Sequence, residues 1–224
     1  MKRIGIILVS ALMLQLLWHA AMPREGAKAQ ALRSPPALIA LRLASLDESI
    51  MASRFMMLYL QSFDIQPGII MPYRDLDYGI VQKWLEASLD LDTRDKYPLF
   101  AATYFYAGVK DERKTRSMLD FISREFSIDP EERWPWMASG ALIAKYELHD
   151  LPLALEYSES LRKDATGAPS WVREMSIFTL EDMNRLDAAK IVLGGLLVDG
   201  RIKDPNELAF LKGRLDRIGR FYGR

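Results

Sequence analysis

The chain has 224 residues, 50% hydrophobic and 27% charged, with 30 Lys and Arg balanced by 30 Asp and Glu. Such a composition describes an ordinary folded protein with a sizeable core, and the balanced charge supplies no global field to draw it to nucleic acid or an anionic surface. The absence of cysteine excludes disulfides, thiolate metal sites, a Cys nucleophile and a lipid-modified N-terminal cysteine.

Lys2 and Arg3 precede an uncharged run from Ile4 to Met22, in which Gln15 and His19 are the only strongly polar side chains. The run is close to the roughly 20 residues that cross a bilayer core as a helix. Pro23 stops it, and Arg24, Glu25 and Lys28 return the chain to water. Two readings of residues 1–29 stay open. As a signal peptide, the basic start and apolar run end in Ala27-Lys28-Ala29, a small-x-small cleavage site before Gln30. As an uncleaved anchor, residues 4–22 form a transmembrane helix with Trp18 and His19 at the interface. Both send the chain into export. The expected location is the bacterial cell envelope, anchored on the periplasmic side of the inner membrane or, if cleaved after Ala29, soluble in the periplasm. A buried N-terminal helix would show a polar face, and this one shows none.

Residues 30–44 read as a linker, with Pro35-Pro36 forbidding helix at its start. The folded body is expected over residues 45–224. Apolar residues at Ile50, Phe55, Leu58 and Phe63 predict a helix over 45–63. Pro67-Gly68 and Pro72 make a loop, Asp75 or Asp77 caps the next helix, and Val81, Trp84, Leu85 and Leu89 form its stripe. Three more pairs follow: 99–108 with 113–126, 135–148 with 151–161, and 172–184 with 187–197. A last helix starts at Asp204-Pro205, with Glu207 placed to complete a capping box. No stretch of the body reads as a strand.

The pairs share a period. Laying Asp92 on Asp129 and Tyr97-Pro98 on Trp134-Pro135 gives one offset, 129 − 92 = 134 − 97 = 37, and 134 + 37 lands on Trp171. Aromatic residues at a fixed period, each closing a polar turn, mark a helical repeat. In this frame Trp134 and Trp136 pack between units, and Pro135 sits in a first helical turn; a ligand-stacking platform is the alternative for the tryptophans. Gly194-Gly195 inside a helix implies close approach of another helix or of a partner's backbone.

Within Leu142 to Tyr157, the residues Tyr146, Asp150, Ala154 and Tyr157 resemble the aromatic, acidic-turn, small and aromatic positions of the tetratricopeptide repeat family. Asn184, Asp187 and Ala189 look similar, and Asp92 and Asp129-Pro130 resemble the family's repeat ending. The period of 37 rather than 34, His149 at a common glycine position, and Ser158 at an expected aromatic depart from the pattern. The resemblance implies an all-α fold: a tetratricopeptide-like α-solenoid of about four antiparallel helix pairs and a C-terminal capping helix, preceded by the N-terminal hydrophobic helix.

Chemistry is sparse. The two histidines, His19 and His149, lie in the apolar segment and in a turn. There is no glycine-rich phosphate loop and no G-x-S-x-G. Glycosidase carboxylates must stand roughly 5 to 9 Å apart in a cleft; the candidates, Asp90, Asp92, Asp95, Glu131 and Glu132, lie in turns where capping accounts for them. Glu48-Ser49 and Glu159-Ser160 share a dipeptide with helical cell-wall lyases but not the segment that follows it. The C-terminal helix carries the one local basic excess, including Lys212, Arg214, Arg217 and Arg220, with Leu208, Leu211, Leu215, Ile218 and Tyr222 as its apolar stripe.

The expectation is a non-enzymatic adaptor or assembly factor with no catalytic residue, cofactor or metal. It would present a groove, lined by the first helix of each pair, to an envelope protein. Tyr104, Tyr106, Lys145 and Glu181 are the expected partner-binding residues. A cell-wall carbohydrate-active enzyme and a structural subunit of a membrane complex are the alternatives.

Overall fold

The structure, a computed structural model, describes residues 2–21, 29–46, 48–200 and 202–221. Met22, Pro23, Arg24, Glu25, Ala27, Lys28 and Tyr222, on which parts of the sequence reading fall, lie outside the described residues. Helix α1 (Lys2–Ala21) is solvent-exposed from Gly5 to its end. Among the described residues no helix is long and apolar enough to cross a membrane.

The body is all-helical apart from one small hairpin, and its helices pack in consecutive pairs. α2 (Leu38–Ala44) leads into α3 (Ser49–Ser62), which pairs with α4 (Tyr78–Leu91). α5 (Tyr97–Ala101) and the turn after it precede α6 (Glu112–Ile128); α7 (Pro130–Tyr146) pairs with α8 (Leu151–Asp164). α9 (Ser170–Asp182) pairs with α10 (Leu186–Val198), and α11 (Pro205–Phe221) closes the array against α10. Acidic caps set the helix starts: Asp77, Asp111, Asp129 and Asp150 each accept backbone N–H bonds at the heads of α4, α6, α7 and α8. Two runs of core follow the array. One joins α3 to α9, with Leu60, Leu85, Leu119, Met137 and Leu161 inside it, and the other joins Leu155 to α9, α10 and α11.

The repeat is visible in contacts between equivalent positions. Trp134 and Trp171, 37 positions apart in the sequence, meet edge to face with ring centroids 5.8 Å apart. Neighbouring units are also tied by residues 35 positions apart: Gln82 Nε2 donates to Ser117 O at 2.7 Å, and Tyr104 and Ser139 share a hydroxyl bond at 3.3 Å. The turns between α7 and α8 and between α9 and α10 also correspond. Each turns through a left-handed residue, His149 at φ 53° and Asn184 at φ 55°.

Several expectations are corrected. The stretch read as a linker is joined to the body: Leu32 is buried, Trp84 Nε1 donates to Arg33 O at 2.8 Å, and residues 38–44 are helical. The loop at Pro67-Gly68 is a hairpin, β1 (Ile65–Gln66) antiparallel to β2 (Ile69–Ile70), with Gly68 at φ 77°. Proline followed by a positive-φ glycine suits a tight turn, and the strands are too short for an alternating pattern to show. α7 starts at Pro130 and not at Pro135, because Asp129 caps it and Pro130 needs no N–H there; Pro135 lies inside the helix. Gly194 and Gly195 face open space, so no helix among the described residues approaches them. Asp204 does cap α11, accepting from Asn206 N at 2.9 Å, whereas Glu207 turns to the Glu174 carboxyl instead of completing a capping box.

Candidate partner-binding face

After α5 the chain does not continue as an α-helix. Residues Ala102–Tyr106 form a π-helical turn closed by Ala107 N donating to Ala102 O at 2.8 Å. A π turn places one more residue in the turn than an α-helix does and shifts every later side chain around the axis. Tyr104 is left outward and Tyr106 inward. The phenol of Tyr106 is fully buried, edge-on to Tyr73 and Tyr78, and burial raises its pKa far above the ordinary phenol value.

The outward side carries a row of rings. Tyr97 stacks on Phe100 with centroids 6.0 Å apart, and Phe100 lies 4.9 Å from Tyr104. Trp136, from the next unit, stands edge-on to both Phe100 and Tyr104, at 6.1 and 6.5 Å. Gln61 of α3 donates to the Tyr97 hydroxyl, so the row reaches the preceding pair. Tyr104 remains 54% exposed, which leaves one ring face for another molecule.

Beside the row opens a cleft of about 580 Å³, between the α4–α5 turn and the head of α7. Leu99 and Trp136 give it an apolar floor, and Arg94, Lys96, Asp129 and Glu132 line it with both signs of charge. Lys96 and Glu132 are paired across it at 3.5 Å with both side chains in solvent. Beneath it the Arg133 guanidinium is buried against Glu125, whose carboxyl is pushed up by burial despite the arginine. The surface can grip extended chain by ring stacking and by charges at its rim.

Of the four residues expected to bind a partner, the structure brings only Tyr104 to this face. Tyr106 has no exposed surface. Lys145 forms an ion pair with Asp182, with its ammonium 4.9 Å from the centre of the Tyr146 ring. Glu181 is held by two bonds from Arg214, whose guanidinium lies 4.4 Å over Phe178. These two residues therefore tie neighbouring elements together. The sequence does not single out Tyr97 or Phe100 as candidates, although the aromatic period points to the positions around Tyr97; Trp136 enters there only through the alternative of a ligand-stacking platform.

The candidate glycosidase carboxylates hold structural bonds. Asp92 accepts from Arg94 N at 3.1 Å and Asp95 from Tyr97 N at 2.9 Å. Glu131 accepts from the Thr166 hydroxyl and N–H and from Gly167 N, and these bonds, led by the Thr166 side chain, hold its pKa below the ordinary value. Among the described residues no group of three or more His, Cys, Asp or Glu is arranged to hold a metal ion. Compared with protein-family models, curated proteins and solved structures, the chain matches none.

Proposed function

We propose that the chain is a tetratricopeptide-like adaptor or assembly factor of the bacterial cell envelope, without catalysis of its own, that binds a segment of another envelope protein along the Tyr97–Phe100–Tyr104–Trp136 row. The pre-stacked rings, with Tyr97 and Tyr104 exposed, carry this reading. Aromatic side chains whose rotamers are already fixed lose little entropy on binding and supply large contact area, the properties of an interface anchor. Support for the family likeness comes from the acidic caps, the left-handed turns at His149 and Asn184, and the ring contact one period apart. Support for the location comes from α1, whose exposed Ile6, Leu8, Leu12 and Leu16 have no cover in the body and need an apolar surrounding. The test is affinity capture of the full chain from gently solubilised envelope, in parallel with Tyr104→Ala. Truncating an anchor ring costs about 2 kcal/mol or more, roughly 30-fold in affinity, so the variant should lose a stoichiometric partner while keeping its helical circular dichroism. Equal recovery of the same partner by both proteins would reject the row as the binding face.

A further inference from the structure

The N-terminal end of the array has an apolar surface that the repeat does not cover. α3 turns Met56, Met57 and Leu60 into the core, yet its opposite side is also apolar, with Met51, Phe55 and Leu58 in solvent and Phe55 63% exposed. A helix apolar on both sides has a second partner. α2 also carries Ile39 and Leu43 in solvent, and none of its residues is buried. Between α2 and α3 lies a cleft of about 460 Å³ whose walls include Leu41, Ala44, Met51 and Phe55, with the stacked Tyr59 and Trp84 rings, 4.9 Å apart, at its base.

The route of the chain shows what covers this surface. Gln30 is fixed on the body by paired bonds with Gln66, at 2.7 and 3.0 Å, and the Trp84 indole at the base of the cleft holds the Arg33 carbonyl. From Ala21, the last residue of α1, to Gln30 is 30 − 21 = 9 steps. At about 3.5 Å a step the connection spans no more than roughly 30 Å. Any apolar phase that takes α1 therefore lies within reach of the α2–α3 end. α1 itself does not suit the cleft, because a helix docked there would turn a polar side to water and α1 has none between Gly5 and Leu14. Arg33, Arg42 and Arg54, all exposed, lie on the same stretch of chain as the apolar side chains, with Arg42 also donating to Asp90 O at 3.3 Å. Exposed apolar side chains interspersed with arginines suit the headgroup boundary of an anionic bilayer.

We infer that the α2–α3 end, through Ile39, Leu43, Met51, Phe55 and Leu58, rests in the interface of an anionic lipid bilayer and so fixes how the solenoid stands on the membrane. The inference builds on the membrane reading of α1. Two contacts, a helix and a flat apolar end, would hold the array in one orientation, with the ring row at a set height above the lipid.

Because the chain has no cysteine, one introduced cysteine carries one label. Full-length Leu12→Cys, Leu43→Cys, Phe55→Cys and Lys163→Cys, each labelled with an environment-sensitive dye, would be reconstituted into phosphatidylethanolamine and phosphatidylglycerol vesicles with and without brominated lipid. All four positions are exposed in the lipid-free structure. The expected result is blue-shifted emission and bromolipid quenching at positions 12, 43 and 55, and aqueous emission without quenching at 163. Quenching at 12 with aqueous emission at 43 and 55 would overturn the inference and leave the membrane reading of α1 standing. Aqueous emission at all four would overturn both. Quenching at 43 and 55 but not at 12 would uphold the inference and reject α1 as the anchor. A blue shift at 43 and 55 that grows with protein density and is not quenched would show that a second copy covers the surface, and would also overturn it.

Discussion

Glu174 is a carboxyl inside the packing of α9 against α11. It is 5% exposed, it faces Glu207, and the Oε1 atoms of both have no hydrogen-bond donor among the described residues. Burial first, then the hydrogen bond and charge of Glu207, push its pKa from the ordinary 4.5 up to about 7, against the opposing pull of Arg173 and Arg214. A proton held between the buried Glu174 carboxyl and the half-buried Glu207 removes their repulsion. The folded protein thus keeps a proton that the unfolded chain gives up near pH 4.5. The contribution to stability is complete below that pH, falls by up to about 1.4 kcal/mol per pH unit as pH rises from there, and is gone above about 7. Glu131 and Asp150, whose pKa values are lowered, act with the opposite sign and at lower pH, where protonation costs them the bonds from Thr166 and from Leu153 N–H and Arg116. Melting temperatures at pH 5 and pH 8 should therefore drop more steeply for the natural protein than for Glu174→Gln, which should be the more stable of the two at pH 8. Parallel pH profiles would show that the pair does not hold this proton.

At the scale of the element, Gly194 and Gly195 separate two explanations for glycine in a helix. A Cβ added at either meets no atom within 4 Å, so the glycines bring only backbone freedom to α10. Gly195→Ala should raise stability by up to about 1 kcal/mol in a denaturant titration; a loss would mean that something packs against that face in solution. The elements with strong period were legible in the sequence. α4, α6, α8, α9 and α10 appear close to where the apolar stripes and acidic caps place them, and Trp134 meets Trp171 as the offset implies. The remainder escaped for local reasons. The π turn at Ala102–Tyr106 has no composition signal, and Tyr104 and Tyr106 had been given one face until it turned Tyr106 inward. The aromatic period points to Pro135 as the start of α7, whereas the Asp129-Pro130 cap governs the helix. α2 gives no signal behind the paired prolines, since a seven-residue helix is too short to show a stripe. Lys145 and Glu181 are held by Asp182 and Arg214, partners from elements that the sequence alone could not bring into register.

For the whole molecule, stacked pairs make each unit depend on its neighbours, so the array is a rigid frame whose exposed features keep fixed spacings. Two of those features lie toward the N-terminal half: the apolar α2–α3 end and the ring row from α5 to α7. Gln61 of α3 joins them through the Tyr97 hydroxyl. The frame would hold a bound protein segment at a constant distance from whatever surface receives the α2–α3 end, which is the service an assembly factor gives. An adaptor role requires the ring row to be a protein-binding face. The most direct measurement places a photoreactive amino acid at Tyr104, and in a second protein at the exposed Asp120 on α6, then irradiates living cells and resolves the adducts by mass. One defined protein adduct is expected at position 104 and none of that mass at 120. The same adduct at both positions, or none at 104 while the protein stays folded, would contradict that role.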